Sequence, residues 1–401
     1  MELLGPNRIR WSRWLCAFVL LGVASVVSAA VADSSRFVTA SLLVVTPGNA
    51  VYSRFGHVSL RMQCPSKDLD YCFTFESEPN RLKFIMGKSM AHFSAVPFKE
   101  YIAPYQAEGR GITQYDLNLT THEEQELWRL LDNDMVEQPN RQFNLIQHNC
   151  VSMSMLMTEA ALQNEQIEYR QMPEQMSFIN GEGIRYLSRR SPWLQFLLIT
   201  FIGSEADVYW PTEQRLSPEM LGNVATHAVI VNLNTHATRP LTAGEPRTIL
   251  PMKAVPEPLP FTPTWLAVGL FVLALLLTCG EWKAGWQKAA RWFDAFLFVA
   301  QCLVGFVLLY STLVASLFGL HWNWYLVPFN PLPLVLWLLW RKQKKFYRVY
   351  FFYFVILCLF IVIAPVITTQ ADLPHLLIVG SMGIRCLSNY VKGKKQNKKI
   401  Q

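Results

Sequence analysis

The chain has 401 residues, 51% of them hydrophobic, and a formal net charge of +7. Up to about residue 260 the sequence reads as globular; after it, long apolar runs alternate with short basic clusters. One folded domain followed by a membrane region accounts for both and excludes a wholly soluble chain.

From Asp33 to Val255 there are 19 Lys and Arg against 24 Asp and Glu, so the positive charge sits at the chain ends and in the loops between apolar runs. The basic balance is therefore read as membrane topology and not as nucleic-acid binding. Arg8, Arg10 and Arg13 precede LCAFVLLGVASVVSAAVA, which closes on Ala30 and Ala32 in an A-x-A arrangement before Asp33. That is the order of a secretory signal over residues 1–32; the stretch is also long enough to be an uncleaved anchor. Cys16 sits too early, without the small residues that a lipid-attachment site needs.

Residues 33–255 read as an α+β domain. RFVTASLLVV predicts a strand ending in a turn at Pro47-Gly48-Asn49. HVSLRMQC and LDYCFTFES alternate as the two arms of a hairpin, and GRGITQYDLNLT predicts a further strand. THEEQELWRLLDNDMVEQ predicts a helix, capped by Thr120 or Thr121, with Leu127, Leu130 and Leu131 on its apolar face. RQFNLIQ reads as a short strand, followed by a helix with Met153, Leu156, Met157 and Ala160 at helical spacing. From about Gln171 to Pro260 the pattern is mixed, and no internal repeats are seen.

Three cysteines lie in this domain. Cys64 and Cys72 end one arm of the hairpin and enter the next, so a disulfide between them is expected in an exported domain. Cys150 is the odd one left over. It stands at a helix start, where free N–H groups and the helix dipole favour a thiolate and predict a lowered pKa. His57, just after Gly56 at the start of a strand, is the candidate base. His148 is a second candidate, but its side chain is expected to point elsewhere; His92 and His122 are weaker. Each of these residues has a plainer reading, as a buried inert thiol or a structural histidine. There is no H-E-x-x-H or C-x-x-C spacing, so no metal and no cofactor are expected.

Residues 256–264 form a Pro-rich linker, and 265–401 a transmembrane domain. Five membrane segments are predicted: Trp265–Cys279, Phe293–Phe318, Trp324–Trp340, Tyr347–Thr369 and Leu373–Leu387. EWKAGWQKAAR, RKQKKFYR and the tail KGKKQNKK are basic, whereas GLHWNWYLVPFNPLP and ITTQADLPH carry no Lys or Arg. Basic loops stay cytoplasmic, which sets the α+β domain outside and the tail inside. Cys279, Cys302, Cys358 and Cys386 in these segments read as small apolar residues. His321, Trp322, Asn323 and Trp324 form an aromatic outer loop, expected at the bilayer interface.

YSRFGHVSLRM, FTFESEPNRLKFIMGK, YQAEGRGITQYDLNLTTHEEQELWRLL, NLIQHNCVSM and GSEADVYWPTEQRLSPEMLG, in this order, resemble the Lnb-type periplasmic domain of lipoprotein N-acyltransferases. The resemblance covers roughly residues 37–225. It implies a circularly permuted papain-like fold, also similar to the lecithin:retinol acyltransferase type, with the His strand first and the Cys helix later. It implies Cys150 as nucleophile and His57 as base, with Asn149 beside the nucleophile. The third, orienting residue stays open among Asp70, Tyr71 and Glu76. The implied reaction moves an acyl chain from a phospholipid through a Cys150 thioester to the N-terminal amine of a diacylglyceryl-cysteine lipoprotein, at the bacterial inner membrane. Two rivals stand beside it: a membrane-anchored peptidase or amidase acting on cell-wall peptide, and a non-catalytic envelope assembly protein.

Overall fold

In the computed structural model, residues 38–400 are described apart from 51–52, 79, 81–82, 85, 146–147, 171–179, 209–216, 254–259, 284, 315–321, 341–342 and 344. The expected signal segment, His321 and residues 256–259 of the Pro-rich linker lie outside the described residues.

The first strands follow the alternation of the sequence. β1 (Thr39–Val45), β2 (His57–Cys64), β3 (Leu69–Ser77) and β4 (Ala91–Pro97) form an antiparallel meander. A helix, α1 (Phe98–Glu108), follows β4 and carries Pro104 within it. β5 (Ile112–Asp116) then pairs with β1. α2 (Thr121–Glu137) starts at Thr120, whose hydroxyl accepts from Glu123 N while the Glu123 carboxylate reaches back to Thr120 N, a capping box. α3 (Cys150–Ala160) carries the candidate nucleophile at its first position. β6 (Glu165–Glu168), α4 (Asn180–Ser188), α5 (Pro192–Phe201), α6 (Pro218–Ala225), β7 (Val229–Asn232), β8 (Thr238–Pro240) and β9 (Arg247–Leu250) complete the mixed α/β domain. The main sheet has the order β4-β3-β2-β1-β5-β9, and β6-β7-β8 make a second small sheet.

The main sheet is covered differently on its two faces. Val58, Leu60, Met62, Phe73 and Phe75 are buried on one face and pack with Leu127 and Leu131 of α2 and Val151 and Met153 of α3. Each such buried side chain stabilises the fold by about 1.5–3 kcal/mol. Leu156 and Ala160 of α3 point outward instead, so the apolar face of that helix is set by Val151, Met153, Met155 and Met157. The other face carries a smaller cluster of Leu43, Val45, Cys72, Tyr101 and Ile112. Arg61 pins that face: it gives Asp70 two hydrogen bonds of 2.8 and 2.7 Å, donates to Gln114 at 2.7 Å, and lies 3.4 Å over the Phe98 ring.

Two local expectations are corrected here. Cys64 and Cys72 are both free and buried. The turn Pro65–Lys67 fixes the hairpin so that Cys64 faces Leu69 and Cys72 faces Arg61. Three positions apart in register, the two thiols fall on opposite faces and roughly 10 Å apart along the strand, too far for a disulfide. RQFNLIQ does not form a strand among its described residues; Gln142 and Asn144 make only isolated bridges, to Met90 and His148.

The C-terminal region is helical: α7 (Pro263–Lys283), α8 (Gln287–Leu313), α9 (Leu332–Trp340), α10 (Tyr347–Ile367) and α11 (Leu373–Ile400). By length and composition three of these are candidate spans: α7, α8 and α10. The predicted segment Trp324–Trp340 is not one continuous helix. It is a short 3-10 turn at Trp324–Leu326, then Pro328 and Pro331, then the nine residues of α9, about 14 Å long against a bilayer core of about 30 Å. α11 is long, but it carries Arg385, which is buried and paired with Asp294 at 2.6 Å and Glu281 at 3.2 Å. A buried charge with partners on two neighbouring helices reads as a structural pin.

Candidate active site

His57 is the first residue of β2, and Gly56 before it has φ +85°. A Cβ at Gly56 would stand 2.6 Å from the Val45 carbonyl oxygen, so this turn requires glycine. The turn lays His57 at the end of the sheet, on the face that also carries Ser59 and Thr74. The β2–β3 register sets Ser59 opposite Thr74, and continued by two residues it sets His57 opposite Glu76.

The hydrogen bonds define the state of the imidazole. His57 Nε2 lies 2.6 Å from Thr74 Oγ1, and Thr74 Oγ1 donates to Glu76 Oε1 at 3.1 Å. Thr74 has one hydroxyl proton, and that proton is given to Glu76. Its oxygen therefore accepts from His57, which puts the imidazole proton on Nε2 and leaves Nδ1 as the free base nitrogen. Glu76 Oε1 itself stands 3.6 Å from Nε2. Burial lowers the His57 pKa to about 4; Glu76 pulls it up and Arg110 pushes it further down.

Cys150 begins α3. Asn149 is the N-cap: its Oδ1 accepts from Val151 N at 2.9 Å and Ser152 N at 3.0 Å, and Ser152 Oγ accepts from Asn149 N at 3.0 Å. Asn149 Nδ2 also donates to the Leu145 carbonyl at 3.1 Å, tying the preceding loop to the helix start. This is why asparagine stands before the cysteine: its short amide caps the helix that presents the thiol.

The expectation of a lowered Cys150 pKa is corrected. Burial pushes the thiol up to about 11, although the N–H groups of Val58, Cys150 and Val151 pull it down. Desolvation outweighs the helix start because the thiol is half-buried against the main core. The Val58 N–H also fixes the geometry, since Val58 is the residue after His57. The α3 start and the β2 start thus meet at one end of the sheet, and the resting pair is a neutral thiol and a neutral imidazole.

Two further residues, missed from sequence, belong here. Burial pushes the Tyr105 phenol up to about 12, and Glu76, Arg110 and Cys150 all act on it. Arg110 is buried, donates to the Thr46 carbonyl at 2.8 Å and lies 4.8 Å from the Tyr105 ring centroid. Both sit on α1 or just after it, and Pro104 hides that helix from propensity reasoning. Thr74 was legible in principle, because it is two residues from Glu76 and so shares its face.

Of the candidates from sequence, Cys150 with its cap Asn149 and His57 with Glu76 lie at the same end of the sheet, and Glu76 is close enough to act on both the imidazole and the thiol. Asp70 does not: it pairs with Arg61 and lies six residues from Glu76, roughly 20 Å along β3. Tyr71 sits opposite Met62 and packs against the main core, on the other face from His57. His148 is exposed, and its backbone closes a tight turn with Asn144, so it is not directed at the thiol.

Two family models match the chain. The Lnb N-terminal periplasmic domain matches residues 30–177, and the Lnb transmembrane domain matches residues 255–397. No curated protein and no solved structure gives a significant match. The first model covers the stretch that holds Cys150 and His57 and the second covers the helical region, and with both domains in this order the chain belongs to the Lnb family.

Proposed function

We propose that this chain is a thiol-dependent lipoprotein N-acyltransferase. Family membership points to lipoprotein biogenesis at a membrane. The observation that carries the finer reading is the meeting of the Cys150 thiol with the start of β2. There His57 has its Nε2 committed to Thr74 and its Nδ1 free.

The chemistry follows from that arrangement. His57 Nδ1 takes the thiol proton as Cys150 Sγ attacks the ester carbonyl of a phospholipid acyl chain. The S–C bond forms, the ester C–O bond breaks, and the His57 proton passes to the departing glycerol oxygen, releasing a lysophospholipid. The N-terminal amine of a diacylglyceryl-cysteine lipoprotein then attacks the thioester. The N–C bond forms, the S–C bond breaks, and the amine proton returns through His57 to the thiolate. The Cys150 N–H would serve as a donor for the oxyanion. Thr74 and Glu76 hold the tautomer and orient the ring, and no metal or cofactor enters.

In this reading the α/β domain is a permuted papain-like unit, with the His strand before the Cys helix. The five C-terminal segments keep it at the outer surface of the inner membrane, with the basic loops and tail in the cytoplasm. A neutral thiol–imidazole pair suits the task, because it reacts only when a substrate carbonyl reaches it. The test is intact-protein mass spectrometry after incubation with phospholipid. A hydroxylamine-labile acyl mass on wild type, absent from Cys150→Ala, is expected. Cleavage of a cell-wall peptide with no acyl adduct would favour the amidase reading instead.

A further inference from the structure

We infer that a cleft beside the His57 turn is a phosphate-binding pocket for the acyl donor. The cleft is small, with a cavity volume of about 50 Å³, room for a few atoms of an anionic group and not for a whole lipid. Arg54, Phe55, Leu187, Arg189 and Glu219 line it, and in its adjoining lobe Arg190 does as well.

Arg54 is the central observation. It stands two residues before Gly56, in the loop that delivers His57. Its Nη1 is buried and, among the described residues, has no hydrogen-bond partner. A buried guanidinium nitrogen without an acceptor is costly, and because Arg54 also lines the cleft, a turn of its guanidinium toward an anion there would relieve that cost. Arg189 and Arg190 add two exposed positive charges at the end of α4, while Glu219 contributes one negative. The lining of the cleft is therefore net positive and carries guanidinium groups, the chemistry that suits a phosphate oxygen pair.

Its place in the fold selects the source of the phosphate. Leu194 of α5 lines the cleft, and the neighbouring Trp193 donates its indole N–H to the Phe261 carbonyl at 2.7 Å. Phe261 lies two residues before α7 leaves for the membrane. The cleft is thus tied through α5 to the chain just before the first candidate span, the side on which lipid headgroups would lie. Phe55, Leu145 and Leu194 all pack on the buried cluster of Leu198, Ile202 and Ala206, so the cleft lining and the loop before Cys150 share one apolar cluster.

This inference rests on the acyl-transfer reading for the identity of the donor, and it adds a selectivity. A phospholipid carries a phosphodiester and a diacylglyceryl-cysteine does not. A phosphate site in this cleft, next to the turn that carries His57, would seat the donor and leave the acceptor to other contacts.

The test uses binding, so it does not require turnover. Full-length Cys150→Ala protein in detergent is titrated with dihexanoyl phosphatidylglycerol, with dihexanoylglycerol, and with inorganic phosphate. Arg54→Gln should weaken phospholipid binding about tenfold or more and leave dihexanoylglycerol unchanged. Arg190→Gln, an exposed site that will not perturb folding, should weaken it by a few-fold, more at low salt. Arg54-dependent binding that is tighter for the phospholipid assigns the pocket to lipid. Binding of free phosphate just as tightly would overturn that assignment. Unchanged phospholipid affinity in both variants, or equal loss for the phosphate-free lipid, would overturn the pocket. A thioester that still forms on Cys150 in that case would leave the acyltransferase reading standing.

Discussion

Thr74 decides what His57 can do. Its single hydroxyl proton goes to Glu76, so its oxygen fixes the imidazole proton on Nε2. Thr74→Val keeps the shape of the side chain and removes this acceptor, and the ring is then free to turn or to change tautomer. Acylation of Cys150 should fall by about ten- to a hundredfold in Thr74→Val, with the fold retained, and Thr74→Ser should restore most of it. Single-turnover acylation monitored by mass spectrometry reads both.

The same pocket predicts a pH signature. Burial holds His57 at about 4, below its ordinary 6.5. Between those values the unfolded chain binds a proton that the folded chain does not. Stability therefore rises with pH across that window and is lost as pH falls through it. Melting of wild type should decline from about pH 6.5 to 4 more steeply than melting of His57→Gln. An identical decline in both would contradict a buried neutral imidazole.

At the scale of elements, the junction of β1, β2 and α3 is what aligns the site. Gly56→Ala would push a methyl group against the Val45 carbonyl oxygen at 2.6 Å in a left-handed turn. It should cost about 1–3 kcal/mol and reduce acylation more than its stability loss explains, because the turn carries His57. Thermal melting and acylation measured on one sample separate the two effects.

This junction also shows what the sequence could and could not say. HVSLRMQC and LDYCFTFES have the two-residue alternation of half-buried strands, and both run as strands over the residues expected. The contacts between them need the register, which the turn at Pro65–Lys67 sets and composition does not reveal. The same missing register left the disulfide misread and the orienting residue open among three candidates. β7, β8 and β9 have three or four residues each, too short for any periodic signal, so the mixed region gave no elements. α5, an apolar ten-residue helix, was overlooked because it is too short to span and too apolar to stand out as amphipathic.

At the scale of the whole molecule, the α/β domain and the helical region are joined through polar groups. Arg185 of α4 pairs with Asp372 at 2.7 Å, Asp207 accepts from Thr368 and Thr369, and Thr200 bonds His375 at 2.8 Å. His375 is stacked between Phe196 and Tyr325, each 4.3 Å away. Asn323 of the aromatic outer loop donates to the Thr200 carbonyl at 2.8 Å, so that loop includes seam contacts. The division into an outer domain and a helical region was legible from charge and hydropathy. The seam was not, because its partners lie as far as 224 positions apart in the chain. Its consequence is structural: several polar contacts tie the α/β domain to the helical region along one seam.

The most direct test of that account is the mass of lipoprotein N-termini in cells that depend on this protein, compared between wild type and Cys150→Ala at equal protein level. The account predicts an N-linked acyl chain in the wild type and its loss in the variant. An unchanged third acyl chain in the variant would contradict acyl transfer through Cys150.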